Sequence, residues 1–121
     1  MSKPSKNFVE VCIYEVMPNK CEEFERLIGR VAKHHREFPG VKDVRYMKRT
    51  HRQGDFASVR EGEPPIKLTR APKSVTYVLY WELEDEITHG KATKSGLEQF
   101  LKEFTRYLVT TPKIILGERI Q

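Results

Sequence analysis

Along this chain the spacing of apolar residues changes several times, and each change marks an element. Residues 8–17, FVEVCIYEVM, are rich in β-branched and aromatic side chains and are closed by Pro18, so a strand is expected. From Asn19 the period lengthens. Cys21, Phe24, Leu27, Ile28, Val31 and His35 recur at three and four residues, the stripe of an amphipathic helix. Asn19 is the expected cap of that helix, Glu22 and Glu23 suit the positive end of its dipole, and Phe38, Pro39 and Gly40 stop it. Residues 41–50, VKDVRYMKRT, predict a weaker and more polar strand. The stretch from about 51 to 73 holds Gly54, Gly62, Pro64, Pro65 and Pro72, and no regular element is expected there. VTYVLYWELED, residues 75–85, is the third strand, and residues 85–90 predict a short turn of helix. Ser95 and Glu98 form a capping box, so a second amphipathic helix carrying Leu97, Phe100, Leu101, Phe104 and Leu108 is expected to start there. Pro112 ends the transition, and KIILGERI is the last strand.

The order β-α-β-β-α-β predicts a ferredoxin-like α+β fold, a four-stranded antiparallel sheet with both helices on one face. Three of the strands are apolar on both sides. Val75, Tyr77, Leu79, Trp81 and Leu83 oppose Val78 and Tyr80; Val9, Val11 and Ile13 oppose Phe8, Cys12, Tyr14 and Val16; Ile115 opposes Ile114, Leu116 and Ile120. Helices cover one sheet face only, and the other would expose a large apolar surface. The economical cover is the same face of a second subunit, so a homodimer through the sheet faces is expected.

Composition narrows the class without naming a function. At 121 residues the chain is expected to form one domain, with the 51–73 stretch as a long loop between strands 2 and 3. The net charge of +5 suits a soluble protein leaning mildly toward anionic partners. In the long loop Arg52, Arg60, Lys67, Arg70 and Lys73 outnumber Asp55, Glu61 and Glu63. Loops of this length are often functional or disordered. No apolar run approaches the roughly 20 residues of a membrane span, and MSKPSKN lacks the apolar segment of a signal peptide. A cytoplasmic protein is expected. Cys12 and Cys21 have neither disulfide-framework nor metal-ligand spacing, so no metal site is expected.

EVMPNKCEEFERLI, the helix exit EFPGVKDVRY and the segment YWELEDEITH together resemble the antibiotic-biosynthesis monooxygenase-like superfamily of dimeric α+β barrels. The second of these matches the family's E-x-x-G … Y turn into strand 2, and the third its strand-3 tryptophan, acidic helix start and histidine. The resemblance spans nearly the whole chain apart from the 51–73 loop. It implies a pocket between sheet and helices that holds a flat aromatic compound, and chemistry in which the substrate itself reduces oxygen without metal, flavin or other cofactor. In the haem-degrading branch the functional set is a strand-1 asparagine, the strand-3 tryptophan and a histidine. Trp81 matches the tryptophan and His89 the histidine, but Cys12 stands about where the asparagine would fall, so haem cleavage is disfavoured.

On this reading Trp81 stacks on the substrate, His89 or His35 is the base or proton shuttle, Tyr46 or Tyr77 is a donor, and Cys12 and Phe24 complete the substrate-binding set. Each has a plainer reading. Trp81 is by default a core or interface anchor, and His89, in the polar run THGK, a solvated histidine. His35 lies on the apolar stripe and reads first as a core-edge histidine; adjacent His34 points about 100° away, so the two do not chelate a metal. The tyrosines are packing groups with a wet or paired tip, and Cys12 is a small buried hydrophobe. RNA binding, which the same strand order serves elsewhere, is disfavoured because VTYVLYWEL lacks the Arg/Lys-Gly-Phe/Tyr element that stacks bases. The expected function is a cofactor-independent monooxygenase acting on a small aromatic, quinol-like compound. The alternative is a non-catalytic small-molecule-binding or stress-associated dimer, its long loop a lid or partner surface.

Overall fold

Strand alternation is the rule from which the architecture follows. In a computed structural model that describes residues 6–52 and 56–121, β1 (Phe8–Val16) lies centrally, paired antiparallel with β3 (Val75–Leu83) on one side and β4 (Lys113–Glu118) on the other. β2 (Val41–Lys48) adds to the far edge of β3, giving the order β2-β3-β1-β4. The helices α1 (Cys21–Glu37) and α3 (Glu86–Tyr107) pack against one face of this ferredoxin-like sheet.

Register places Glu10 beside Trp81, Cys12 beside Leu79 and Tyr14 beside Tyr77, all facing the helices. Phe24, Ile28 and Ala32 of α1 close this core, with Phe24 packed among Tyr14, Tyr77 and Phe104. Side chains of opposite parity, among them Val9, Val11, Ile13, Val78 and Tyr80, lie on the other face, half-buried. Every residue of β4 is exposed.

Three local expectations are corrected. α1 is preceded by a 3-10 turn, Pro18–Lys20, closed by the Lys20 N–H on the Met17 carbonyl, so Asn19 is not its cap. Proline's fixed φ favours this tight entry, and Lys20 precedes the helix with no side-chain cap. The second long helix begins nine residues before Ser95, at Glu86. The Asp85 carboxylate accepts the Thr88 N–H at 2.7 Å, which satisfies an otherwise unpaired donor and nucleates the helix. No proline interrupts residues 86–107, so the helix runs through Ser95, which becomes a mid-helix residue.

The 51–73 stretch also holds more structure than expected. It contains the short α2 (Phe56–Arg60) and an isolated bridge between His51 and Lys67. The Arg52 N–H to Ile66 and Leu68 N–H to Thr50 bonds close the ends of the excursion. Gly54 and Asp55, which figured in the expected loop, lie outside the described residues.

Gly40 makes the turn from α1 into β2 geometrically workable. Its φ is +90°, and a Cβ there would stand 2.8 Å from Glu84 Cδ and 2.9 Å from Thr88 Cγ2. Both the backbone region and the space select glycine. Gly40→Ala is therefore expected to lower the unfolding free energy by about 2 kcal/mol or more. Urea titration should show an earlier midpoint at unchanged slope, and an unmoved midpoint would contradict this account.

Candidate functional site

A cavity of about 480 Å³ lies between α3 and the sheet. Glu10, Cys12 and Tyr14 of β1, Leu79 and Trp81 of β3, and Val31 and His35 of α1 form its inner wall. Thr93, Gly96, Leu97, Leu101 and Phe104 of α3 form the opposite wall, and Thr110, Thr111, Pro112 and Ile114 stand at the β4 side. Leu97, Leu101 and Ile114 are about half exposed there, so the approach to the cavity is apolar.

The inner wall has a flat part and a polar part. His35 stacks on Trp81 with ring centroids 4.0 Å apart and planes 7° from parallel. Burial pushes the His35 imidazole down to about 4, and the neighbouring His34 and His89 act in the same direction. At neutral pH the stack is uncharged. The stack also explains Gly96, where a Cβ would meet His35 Nε2 at 2.9 Å. Next to His35, the His34 Nε2 shares a 2.9 Å hydrogen bond with Ser95 Oγ, which ties α1 to α3.

The polar part is the pair of Glu10 and His89. His89 Nε2 lies 2.6 Å from Glu10 Oε1, with the two side chains only 13% and 9% exposed. Phe8 and Trp81 flank the His89 ring at 5.0 and 5.2 Å. With a carboxylate as partner, Nε2 carries the proton and donates it. Glu10 Oε2 accepts no hydrogen bond from any described residue, although Glu10 belongs to the cavity wall. Four buried side-chain polar atoms lack a hydrogen-bond partner among the described residues: His35 Nδ1 and Trp81 Nε1 at this wall, and Tyr46 Oη and Ser58 Oγ elsewhere.

The structure gathers only some of the residues expected at a site. Trp81, His35 and Cys12 line the cavity, and His89 stands behind Glu10. Burial raises the Cys12 thiol to about 11, so it stays protonated and acts as packing. Tyr46 and Tyr77 instead border a separate depression of about 410 Å³ with Glu25, Arg36 and Lys48. β3 separates β2 from β1, which puts Tyr46 under α1 instead of α3. The Tyr77 hydroxyl donates to Glu25 Oε2 at 2.5 Å, and burial followed by that bond holds its proton well above the ordinary tyrosine range. Phe24 borders neither space. Glu10 is the residue that sequence reasoning missed. Its signal was available, since it shares strand parity with Phe8, Cys12, Tyr14 and Val16 and so is a carboxylate on an apolar, inward face.

Among the described residues no three histidine, cysteine or acidic side chains gather as a metal site, and no helix is long and apolar enough to cross a membrane. No protein-family model matches the sequence, and no curated protein matches it significantly. Solved structures do. A putative antibiotic biosynthesis monooxygenase from Nitrosomonas europaea superposes with a TM-score of 0.67 at 12% identity, over 99% of this chain and 96% of that one. The chain has the antibiotic-biosynthesis monooxygenase-like fold. A mutant of SnoaB, a cofactor-independent oxygenase from Streptomyces nogalater, matches with a TM-score of 0.64 at 17% identity, over 96% and 95% of the two chains. The same monooxygenase-like fold recurs in NE2512, a protein of unknown function from Nitrosomonas europaea, with a TM-score of 0.63 at 11% identity, over 98% and 94%. Likeness at these identities is a statement about fold, and chemistry has to be argued from the cavity.

The depressed His35 gives a pH signature. Between pH 6.5 and 4 the unfolded chain binds a proton at His35 that the folded chain refuses, so stability is full above about 6.5 and declines as pH falls, by about 3 kcal/mol at completion. His35→Phe keeps a ring on Trp81 and removes this titration. Urea unfolding at pH 6.5 and pH 5 should show a smaller loss in the variant than in the wild type; equal losses would contradict the buried, neutral imidazole.

Proposed function

We propose that the chain is a cofactor-independent monooxygenase acting on a small, flat, electron-rich aromatic compound of the quinol or anthrone type. One observation carries this reading: a cavity of about 480 Å³ whose wall joins the flat Trp81–His35 stack to the Glu10 carboxylate. Aromatic plate, apolar walls and one polar end suit a planar ring system bearing an acidic proton at its edge. SnoaB, similar in fold, is a cofactor-independent oxygenase, which agrees with this reading.

In this chemistry an activated C–H bond of the substrate breaks, its proton goes to a base, and the electron pair stays on the aromatic framework. The carbanion passes one electron to O2, the two radicals combine into a C–O bond, and the peroxide sheds water to leave a carbonyl. One oxygen atom enters product and the other becomes water. The protein's share is to bind, to exclude water and to accept the proton.

The working unit in this reading is a homodimer joined through the open sheet faces. Val9, Val11, Ile13, Val78 and Tyr80 lie on that face, away from both helices, and a second copy would cover them. Cys12 and Cys21 are both free, which agrees with a reducing cytoplasm.

With anthrone as substrate, oxygen consumption above the buffer rate is expected, and Trp81→Leu should lower kcat/KM at least tenfold. Saturable anthrone binding with no oxygen uptake would leave a non-catalytic ligand-binding protein instead. Light scattering at micromolar concentration should give twice the 14.2 kDa of one chain, and a mass near a single chain would overturn the dimer.

A further inference from the structure

We infer that Glu10, through Oε2, is the proton acceptor of this cavity, and that His89 is the residue that positions it. The inference deepens the reading above, because it rests on a flat aromatic compound occupying the cavity. It also changes which residue does the work: neither histidine is the base.

Burial is the first argument. Glu10 is 7% exposed on a strand face otherwise occupied by Phe8, Cys12, Tyr14 and Val16, where a carboxylate is costly to hold. Among the described residues no lysine or arginine forms an ion pair with it. Among the described residues its one hydrogen-bond partner is His89, on Oε1, so Oε2 is left without one. A buried acceptor left open in a cavity wall is what a proton-abstracting site needs and what a purely structural glutamate avoids.

The second argument comes from the groups around it. His89 is fixed between the Phe8 and Trp81 rings, with its Nε2 committed to Glu10 and Thr93 Oγ1 nearby at 3.5 Å. That nitrogen is not free to take a substrate proton. His35 presents its ring to Trp81, its Nδ1 is buried without a partner among the described residues, and its Nε2 abuts Gly96, so it is a plate and not a base. Cys12 and Tyr14, beside Glu10 on β1, and Tyr46, from β2, are all raised by burial and keep their protons. Glu10 Oε2 is left as the acceptor at the polar end of the wall.

The step is reversible and closed in itself. The substrate's acidic C–H bond breaks, the proton passes to Glu10 Oε2, and the electron pair delocalises into the ring system as an enolate-like carbanion. Oxygen is not consumed until afterwards. Proton removal can therefore be read without oxidation.

Anthrone in D2O under argon is the probe, with loss of its C10 proton signals followed by NMR. The wild-type protein should accelerate exchange well above buffer, and Glu10→Gln should lose at least a hundredfold of that acceleration. Glu10→Asp, which retracts the carboxylate by one methylene, should keep part of it, and guards against a Gln variant that fails to fold. His89→Phe should lose at least tenfold, whereas His89→Gln, whose amide N–H can still reach Oε1, should recover most of the rate; equal losses would reduce His89 to packing and overturn its positioning role. Melting curves and anthrone quenching of the sole tryptophan, Trp81, report folding and binding in each variant. No acceleration by the wild type, or full exchange in folded Glu10→Gln, would overturn the assignment. Exchange without aerobic oxygen uptake would uphold Glu10 and end the oxygenase reading; oxygen uptake surviving in Glu10→Gln would do the reverse.

Discussion

The flat contact between His35 and Trp81 sets the spacing on which the candidate site depends. Rings 4.0 Å apart and nearly parallel hold the end of α1 at one distance from β3. The imidazole then fills the space in front of Gly96, and α3 can pass only because that position has no side chain. The His34 to Ser95 bond and the Arg30 to Glu103 ion pair fix α3 against α1. α3 is thereby held toward α1, and the β4 side of the sheet is left uncovered. The cavity is the space this arrangement cannot fill.

Part of the unmet polar capacity among the described residues lies around the same point. Among the described residues His35 Nδ1 and Trp81 Nε1 are buried without partners, and Glu10 is paired through only one of its oxygens. Each unpartnered buried atom costs about 1–3 kcal/mol, so a wall carrying several is expensive to keep folded. Elsewhere among the described residues such atoms occur singly, at Tyr46 Oη and Ser58 Oγ. Phe24, Leu27, Leu79, Leu83 and Val16 are fully buried and apolar, and they supply stability that offsets the unpartnered polar atoms of the wall.

The opposite sheet face handles its polar groups differently. Glu82 is nearly buried there, yet it accepts bonds from Asn7, Tyr80 and Arg119. The Asn7 bond leads in holding its carboxyl below the ordinary range, with Tyr80 and Arg119 adding to it. This network closes one end of the face. Val11, Ile13 and Val78 lie beyond it as an apolar area without polar cost. The two faces of one sheet thus differ in kind: satisfied polar groups bordering apolar residues on one side, and unsatisfied polar groups lining a cavity on the other.

The sequence by itself determined the order of strands and long helices, the shared strand face of Val75, Tyr77, Leu79, Trp81 and Leu83, and the apolar stripe that carries His35; which face the helices cover was left to the tertiary structure. Periods of two and about 3.6 residues are local properties, and short-range backbone geometry enforces them. Caps proved less legible. Ser95 and Glu98 carry a helix-start pattern, but the helix had already been nucleated at Asp85, and a local pattern does not show whether an earlier cap has acted. Only the tertiary structure decided which polar residues meet. Glu10 and His89 are 79 positions apart, and their contact depends on the pairing of β1 with β3 and on where α3 starts. Tyr46 and Tyr77 share the helix-covered face with Trp81, yet the strand order and the path of α1 place them at a different depression. Parity tells which face a side chain takes; its neighbours there are set by elements distant in the chain, brought together by packing.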